Sequence, residues 1–360
     1  MKKITSILFM NLALCSFVKA QDLHFSQYNE NPLLINPAIA GSNYAMRASI
    51  VYRDQWASIT TPYRTYGVSF DTRLNAGNWK QVDARRGMIF QKAKNRLAAG
   101  IAIYNDKAGD SKMGTLVSNA SLAMSFPFNT YSSLSFGLQA GFIQRKMDGG
   151  KLLYSSQYNG YTYDPTLPSG ELYTRTNFIY GDFSSGVAYT YSKEETSIGS
   201  NNQLKAQIGL GAFHLTSPNQ NFVGSESDRL KRKFVFHGNL LFGIANSSFG
   251  VAPSWLAELQ GPSKEILAGL MFKYYIKNNS KYTGIIKQSS IGLGAYYRTG
   301  DAVIASVLIE TGRFAVGFSY DINTSSLVNA SRGRSAFEIT LRVVTPSAYL
   351  YQRKPKAMFR

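Results

Sequence analysis

The sequence predicts an all-β protein: a transmembrane antiparallel β-barrel of about 14 strands that follows an irregular N-terminal segment. Three observations predict this fold: an export signal at the start, apolar residues that alternate with a period of two along most of the chain, and an unusual composition. Aromatic residues make up 13% and charged residues 17% of the chain, whereas a typical soluble domain carries about 25% charged residues. This composition excludes a disordered chain and is unusual for a soluble enzyme.

Residues 1–20, MKKITSILFMNLALCSFVKA, are expected to form a secretory signal peptide. Lys2 and Lys3 give it a positive start, and the apolar stretch that follows is too short for a membrane-spanning helix. Cleavage after Ala20 would remove Cys15, the single cysteine, so the mature chain would have no disulfides and no multi-cysteine metal site. It would also lower the formal net charge from +18 to +15, because three lysines lie in this segment.

Alternation with a period of two defines the predicted strands. In residues 313–320, for example, Phe314, Phe318 and Tyr320 share one face, opposite a face of alanine, glycine and serine. Each such segment is near the length that a tilted strand needs to cross a bilayer. The predicted strands are 44–53, 63–74, 96–105, 114–126, 131–145, 178–192, 204–215, 233–244, 248–258, 265–276, 288–298, 302–310, 312–321 and 334–344.

The second face of these strands distinguishes a membrane barrel from a soluble β-architecture, which is the alternative. In a soluble sandwich that face meets water and tends to carry Lys and Glu. Here Gly, Ala, Ser, Thr and Gln dominate it, with isolated charges such as Glu338 and Arg342. Such a face suits a barrel interior, and closing the sheet pairs every backbone group within the membrane.

The lengths of the connections predict an orientation. If the first strand leaves the periplasm, short connections such as 127–130 face the periplasm and long ones such as 146–177 face outside. The basic connection 75–95 breaks this rule, and marks either a partner contact or a misplaced strand. Pro253 lies within a predicted strand, where we expect a bulge or a shifted boundary.

The expected mature chain opens with an unusual block of residues. It reads Gln21-Asp22-Leu23-His24-Phe25-Ser26-Gln27-Tyr28, then Asn31-Pro32-Leu33, then Asn36-Pro37-Ala38-Ile39-Ala40-Gly41. Further motifs are Tyr52-Arg53-Asp54-Gln55-Trp56, Tyr104-Asn105-Asp106, Tyr297-Arg298 with Gly300-Asp301, Ser319-Tyr320-Asp321 and Phe337-Glu338-Ile339. In these residues the chain resembles the PorP/SprF family, outer-membrane barrels associated with the type IX secretion system and with gliding motility. The resemblance covers nearly the whole mature chain.

The chain departs from the family pattern near its end. The family commonly has Gly just ahead of its final Glu motif, whereas Ser335-Ala336-Phe337 intervenes after Gly333 here. A basic tail follows the last strand, so either the tail or a strand end is expected to carry the assembly signal. The expected organisation is a signal peptide at 1–20, an N-terminal motif segment at 21–43, the barrel at 44–345 and the basic tail at 346–360.

Two Asn-Pro pairs interrupt the apolar residues of the segment 21–43, which predicts neither a regular strand nor a regular helix. One hypothesis is that the segment folds back into the periplasmic mouth or the lumen, where small inward-facing residues leave space. The alternative is a simple lead-in that packs against the first strand. The candidate partner-binding residues come from this block and from the end of the first strand: Asp22, His24, Phe25, Ser26, Gln27, Tyr28, Asn36, Pro37, Gly41, Arg53, Gln55 and Trp56.

Arg53, Gln55 and Trp56 are expected at the outer end of the first strand. Tryptophan favours the membrane interface, where its ring is half in lipid and its N–H stays hydrated. The alternative is that this loop helps to bind an exported protein.

The residues that could carry chemistry do not indicate an enzyme. Only three histidines occur, His24, His214 and His237, and no pattern of a catalytic nucleophile and base, a metal site or a phosphate-binding glycine loop is present. No cofactor is expected.

The positive charge points to anionic lipopolysaccharide or to acidic partner surfaces, and export argues against nucleic acid. Exposed candidates include Arg229, Lys231, Arg232 and Lys233.

The resemblance implies a non-enzymatic outer-membrane component of the type IX secretion and gliding machinery. Such proteins associate with periplasmic components of the machine or help to deliver and retain large secreted adhesins at the surface. The expected partners are therefore outer-membrane lipid, periplasmic type IX secretion components and a large adhesin. The alternative is a general porin or a substrate-specific channel, which the opening block and a lumen without obvious selectivity charges disfavour.

Overall fold

Fourteen strands form one closed antiparallel barrel in which each strand pairs with its neighbours in sequence and the first strand pairs with the last. The computed structural model describes residues 23–57, 61–74, 95–109, 111–129, 131–148, 152, 154–170, 175–193, 201–222, 228–277, 288–325, 328 and 333–345. The strands are β1 (Met46–Gln55), β2 (Tyr63–Arg73), β3 (Arg96–Ala108), β4 (Met113–Pro127), β5 (Ser132–Lys146), β6 (Asn177–Lys193), β7 (Leu204–Phe213), β8 (Lys233–Gly243), β9 (Phe249–Gln260), β10 (Ser263–Lys277), β11 (Ser289–Arg298), β12 (Ala302–Thr311), β13 (Phe314–Asn323) and β14 (Arg334–Thr345).

The predicted barrel is confirmed, and each predicted strand overlaps an observed one with boundaries that differ by at most about three residues. The alternation of apolar residues correctly predicted which side chains point outward, because only one side of each strand can meet lipid. Leu138 and Phe142 on β5 are each 69% exposed on the outside, whereas Gln139 between them is 3% exposed and points inward. Among the described residues, no helix has the length and apolar character needed to cross a membrane.

Pro253 interrupts one ladder without shifting it. β8 and β9 pair at Asn239 with Ser254 and again at Phe242 with Val251, in the same register on both sides of the gap. β10 pairs with Pro253 in unbroken register. The bulge expected at this proline is therefore not found there, and β9 continues through Pro253. Register shifts occur elsewhere, between Tyr275 and Lys277 and between Asp321 and Ile322.

We call the end at which β1 begins and β14 finishes the terminal end, and the opposite end the loop end. The long connections after β5, β7 and β13 leave from the loop end, as the connection lengths predict. The connection between β2 and β3 lies at the terminal end. Most of it, together with the expected signal peptide and basic tail, lies outside the described residues.

Residues 23–45 occupy the barrel interior, and we call them the luminal plug. They contain two one-turn 3₁₀ helices, Tyr28–Glu30 and Pro37–Ile39, with a single α-helical turn, α1 (Pro32–Ile35), between them. Their apolar side chains pack with inward-facing wall residues such as Tyr104 and Val235. This placement supports folding back into the lumen over a lead-in along the first strand.

Candidate functional site: the plugged lumen

The plug runs through the barrel from the loop end to the terminal end. Ser26 contacts Arg53 near the loop end of β1, whereas Gly41 contacts Asp71 near the terminal end of β2. The chain then leaves the lumen at the terminal end and turns back into the wall as β1. The amino end of the described chain therefore lies at the loop end.

A buried cluster holds the amino end of the plug, and we call Ser26, Arg53, Arg298, Asp321 and Glu338 the loop-end charge cluster. The Ser26 hydroxyl donates to Asp321 at 2.7 Å and accepts from Arg53 at 2.8 Å and from Arg298 at 2.7 Å. The Glu338 carboxylate accepts the backbone N–H groups of Ser26 and Gln27, each at 2.9 Å, and the Arg53 guanidinium at 3.0 Å. Each charge of the cluster thus has a partner of opposite sign.

The inward charges, isolated along each strand, meet one another across the lumen. Arg53 and Arg298 are 1% and 2% exposed, Asp321 and Glu338 are fully buried, and all four pair across different strands. Removing one partner of such a buried pair costs about 3–5 kcal/mol, because the other charge is left uncompensated. Ser26 and Gln27 of the plug are hydrogen-bonded to these paired wall charges, so the cluster holds the amino end of the plug in place.

His24 lies against this cluster, and its side chain is 11% exposed. Its Nδ1 is 3.7 Å from Glu265, and its Nε2 is 3.4 Å from Arg53. Burial, and then the positive charges of Arg298 and Arg53, lower the pKa of His24 well below its ordinary value. The histidine is therefore neutral when the plug is in place.

A second network joins the middle of the plug to the terminal half of the wall. Arg342 donates to both carboxylate oxygens of Glu30, at 3.0 and 2.9 Å, and also pairs with Glu310. Glu310 in turn accepts from Lys273 at 2.8 Å and from Ser290 at 2.9 Å. Glu30 is thus the plug member of a chain of four alternating charges.

Asn36 fastens the centre of the plug to β6, β7 and β8. Its amide nitrogen donates to the backbone oxygens of Val187 and Leu210, at 3.0 and 3.2 Å, and lies 3.0 Å from His237 Nε2. Its side-chain oxygen accepts from Ala38 N at 2.9 Å and caps the 3₁₀ helix that follows. Asn36 itself is fully buried.

Glycines on the inner wall make room for this part of the plug. A Cβ at Gly137 would lie 2.6 Å from the Cα of Ala38, and closer still to Ala38 N and Pro37 C. A Cβ at Gly211 would lie 2.5 Å from the Ile35 carbonyl oxygen. Because these neighbours are backbone atoms, a side-chain rotation cannot relieve the contact.

Gly41, near the end of the plug, adopts the left-handed region, with φ of 61°. Its N–H donates to Asp71 at 2.8 Å, and Asp71 also accepts from Arg47 at 2.8 Å. A Cβ at Gly41 would meet the Cβ of Ala98 at 2.6 Å, so a larger residue would strain both the turn and the wall.

The structure therefore brings most of the predicted site residues together, inside the barrel. His24, Phe25, Ser26, Gln27, Tyr28, Asn36, Pro37 and Gly41 belong to the plug, and Arg53 points at them from β1. Asp22 lies outside the described residues. The described contacts of the plug residues are intramolecular, and whether any of them binds a partner stays a prediction.

Gln55 and Trp56 lie apart from this group, at the loop end. Trp56 follows β1 with φ of 58°, its backbone N–H donates to the Ser335 carbonyl at 2.6 Å, and its ring lies 5.0 Å from that of Tyr63. Lys233 was expected on the surface, but it is 2% exposed and points inward, 3.7 Å from Glu258. Its place as the first inward residue of β8 explains the difference.

Sequence reasoning missed the wall partners as site residues, among them Arg298, Asp321 and Glu310. The sequence signal that could have identified them is a charged residue on the strand face that otherwise carries small residues. In the described part of the chain, no group of three or more His, Cys, Asp or Glu side chains is arranged to hold a metal ion.

Motifs far apart in the sequence thus meet at the amino end of the plug. A protein-family model described as "Type IX secretion system membrane protein PorP/SprF" matches residues 17–343. The chain belongs to the PorP/SprF family. Membership and the barrel together support a secretion-related role in the outer membrane. In this PorP/SprF protein, the motif residues Arg53, Arg298, Asp321 and Glu338 hold the opening block inside the barrel through hydrogen bonds with Ser26 and Gln27.

No curated protein matches this PorP/SprF chain. Among solved structures, similar barrels include BamA from Haemophilus ducreyi lacking POTRA domains 1–3, at 10% identity and a TM-score of 0.40, covering 84% of this chain and 70% of that one. The β domain of the Bordetella autotransporter Brka has 10% identity and a TM-score of 0.35, and the match covers 83% of this chain and 98% of that one. A TodX monoaromatic hydrocarbon channel mutant has 9% identity and a TM-score of 0.42, and the match covers 87% of this chain and 93% of that one. These likenesses concern the fold alone.

Proposed function

We propose that this protein is a non-enzymatic outer-membrane component of the type IX secretion and gliding machinery that recognises other proteins at its two ends. In this proposal it binds periplasmic components of the machine or helps to deliver and anchor secreted adhesins. The observation that carries the proposal is the plug. Phe25, Leu33 and Ile39 are at most 2% exposed and fill the space that a diffusion channel would need.

Charge supports a periplasmic partner at the terminal end. The connection between β2 and β3 carries Lys80, Arg85, Arg86, Lys92 and Lys94 within a short stretch of sequence. The chain after β14 is basic as well. An acidic protein surface would be attracted to such segments.

The loop end offers a different kind of surface, suited to a partner outside the cell. The connection after β5 carries Tyr158 and Tyr161, which are 58% and 95% exposed. Tyrosine provides a large contact area at a low entropic cost, and it is enriched in protein interfaces. Gln55 and Trp56 lie at the same end and are candidates for the same contact.

Affinity purification from detergent-solubilised membranes, combined with planar-bilayer conductance, tests the proposal. We expect the full-length protein to bring down periplasmic type IX secretion components and to conduct poorly. Deleting residues 23–41 should raise the conductance, while Gly181→Ala, at an outward position with open space around it, serves as the control. Strong solute flux through the full-length protein without co-purified partners would favour the porin alternative and defeat the proposal.

A further inference from the structure

The lipid-facing wall carries an apolar groove of about 680 Å³ that crosses β3 to β8. Two rows of outward side chains form its sides, each row joining residues that are paired across neighbouring strands. One row is Leu97, Met124, Phe136, Val187 and Leu210, and the other is Leu122, Leu138, Ser185, Ala212 and Phe234. The floor between the rows is Ala123, Gly137, Gly186 and Gly211.

Small residues on both faces of the wall create this groove. The floor residues point inward and have little or no side chain, because the plug packs directly behind Gly137 and Gly211. On the outer face, Ser185 and Ala212 interrupt two rows that otherwise consist of large apolar side chains. The groove is therefore a consequence of how the plug is seated.

The groove rises obliquely toward the loop end. It starts at Leu97, the second residue of β3 from the terminal end, and finishes at Phe234, the second residue of β8 from the loop end. Five strand spacings of about 4.8 Å give a length of about 24 Å. With strands tilted by about 40°, that length rises by roughly 15 Å, so the upper part of the groove, at Ala212 and Phe234, lies toward the loop end.

Exposed cations surround the upper end of the groove. Arg232 is exposed and immediately precedes β8, two residues before Phe234 and about 7 Å away along the chain. Lys264 lies in the same cross-strand row as Phe234, two strands or about 10 Å away, through Leu259. Lys231 lies over the turn between β9 and β10, where its side chain approaches Gly261. Arg232, Lys231 and Lys264 are all exposed.

We propose that this groove and its cations form a binding site for lipid A, with an acyl chain in the groove and a phosphate against Arg232 and Lys264. Charge complementarity favours an anionic lipid, since the apolar channel ends beside a cluster of positive charges. The long connections place the loop end outside the cell, where the outer leaflet carries lipid A and not phospholipid. The site extends beyond the proposed secretion role and does not depend on it.

Binding of purified lipid A to the detergent-solubilised protein, followed by native mass spectrometry in competition with phosphatidylglycerol, tests the site. We expect at least tenfold tighter binding of lipid A. Arg232→Ala with Lys264→Ala should weaken it about 30-fold, at about fivefold per cation. The matched control is Arg64→Ala with Arg334→Ala, two exposed arginines near the loop end of β2 and β14.

A second pair of variants tests the groove itself. Ala212→Phe fills the groove and should weaken lipid A binding about tenfold, whereas Ala305→Phe adds the same side chain to an exposed outward position on β12. Heat-modifiable migration in gels confirms that each variant is a folded barrel. Equal binding of lipid A and phosphatidylglycerol, or equal effects of the Ala212 and Ala305 variants, would overturn the proposal.

Discussion

Replacing Gly137 by alanine should loosen the plug from the wall. The added methyl group would lie 2.6 Å from the Cα of Ala38 and closer to two further backbone atoms of the plug. Because neither the plug backbone nor the strand can rotate away, one of them must move by about 1 Å. Overpacking of this kind costs about 1–3 kcal/mol, which corresponds to an increase of roughly 5- to 150-fold in the population of the released plug.

Hydrogen exchange measures this population directly. The amides of Ile39 and Ala40 donate to the carbonyls of Asn36 and Pro37, at 3.2 and 3.3 Å, so they exchange only when this part of the plug opens. In Gly137→Ala, mass spectrometry should show their exchange accelerated by roughly 5- to 150-fold, while the amides of the β-strands keep their wild-type rates.

Gly181→Ala is the matched control, since a Cβ at this glycine of the neighbouring strand β6 meets no atom within 4 Å. Its plug amides should exchange at the wild-type rate. Equal exchange in the Gly137 and Gly181 variants would show that the glycine does not position the plug, and the proposed fit between plug and wall would be refuted.

Three further predictions concern the direction, the titration and the ion pairs of the plug. In intact cells, a membrane-impermeant maleimide should label Leu23→Cys but not Asn43→Cys, because Leu23 lies toward the loop end and Asn43 toward the terminal end. The reverse labelling pattern would show that the barrel has the opposite orientation. Burial and the adjacent guanidinium groups lower the pKa of His24, so the inserted plug binds fewer protons than the released one. The protection of the plug amides against hydrogen exchange, corrected for intrinsic exchange rates, should therefore be full above about pH 6.5 and decrease as the pH falls through that value. His24→Gln should abolish this pH dependence, and an unchanged dependence in that variant would point to another titrating group. Arg53→Ala should lower the free energy of unfolding in urea by about 3–5 kcal/mol. The exposed ion pair of Arg64 with Asp54 should contribute less than about 1 kcal/mol. Similar effects at both sites would contradict the argument that burial makes the Arg53 pairs strong.

The barrel could be predicted from the sequence because its decisive signal is local. The face on which a strand residue lies follows from its immediate neighbours, and Leu138, Gln139 and Phe142 already show which side meets lipid. Closure follows because an unpaired strand edge is too costly in lipid. Pro253 misled, since the ladder simply skips two pairs there and resumes in register.

The site could be predicted only in part, because it depends on which residues, distant in sequence, lie at the same level along the barrel axis. The prolines of the opening block and the small inward residues suggested a plug. Nothing local, however, pairs Ser26 with Asp321 or Glu30 with Arg342, which are about 300 positions apart in the sequence. Those pairs are set by the register of fourteen strands, and a single charged residue on an inward face does not reveal its partner.

The plug and the wall depend on each other for charge balance, which gives the scattered motifs one physical explanation. Without the plug, Glu338 loses two backbone donors and Asp321 loses the Ser26 hydroxyl, while Arg342 loses one of its two carboxylate partners. A carboxylate deprived of hydrogen bonds in a buried site is costly unless water enters. An empty barrel of this sequence would therefore be either hydrated and open or rearranged. The inward charges on β1, β11, β13 and β14 are thus explained by the segment they hold.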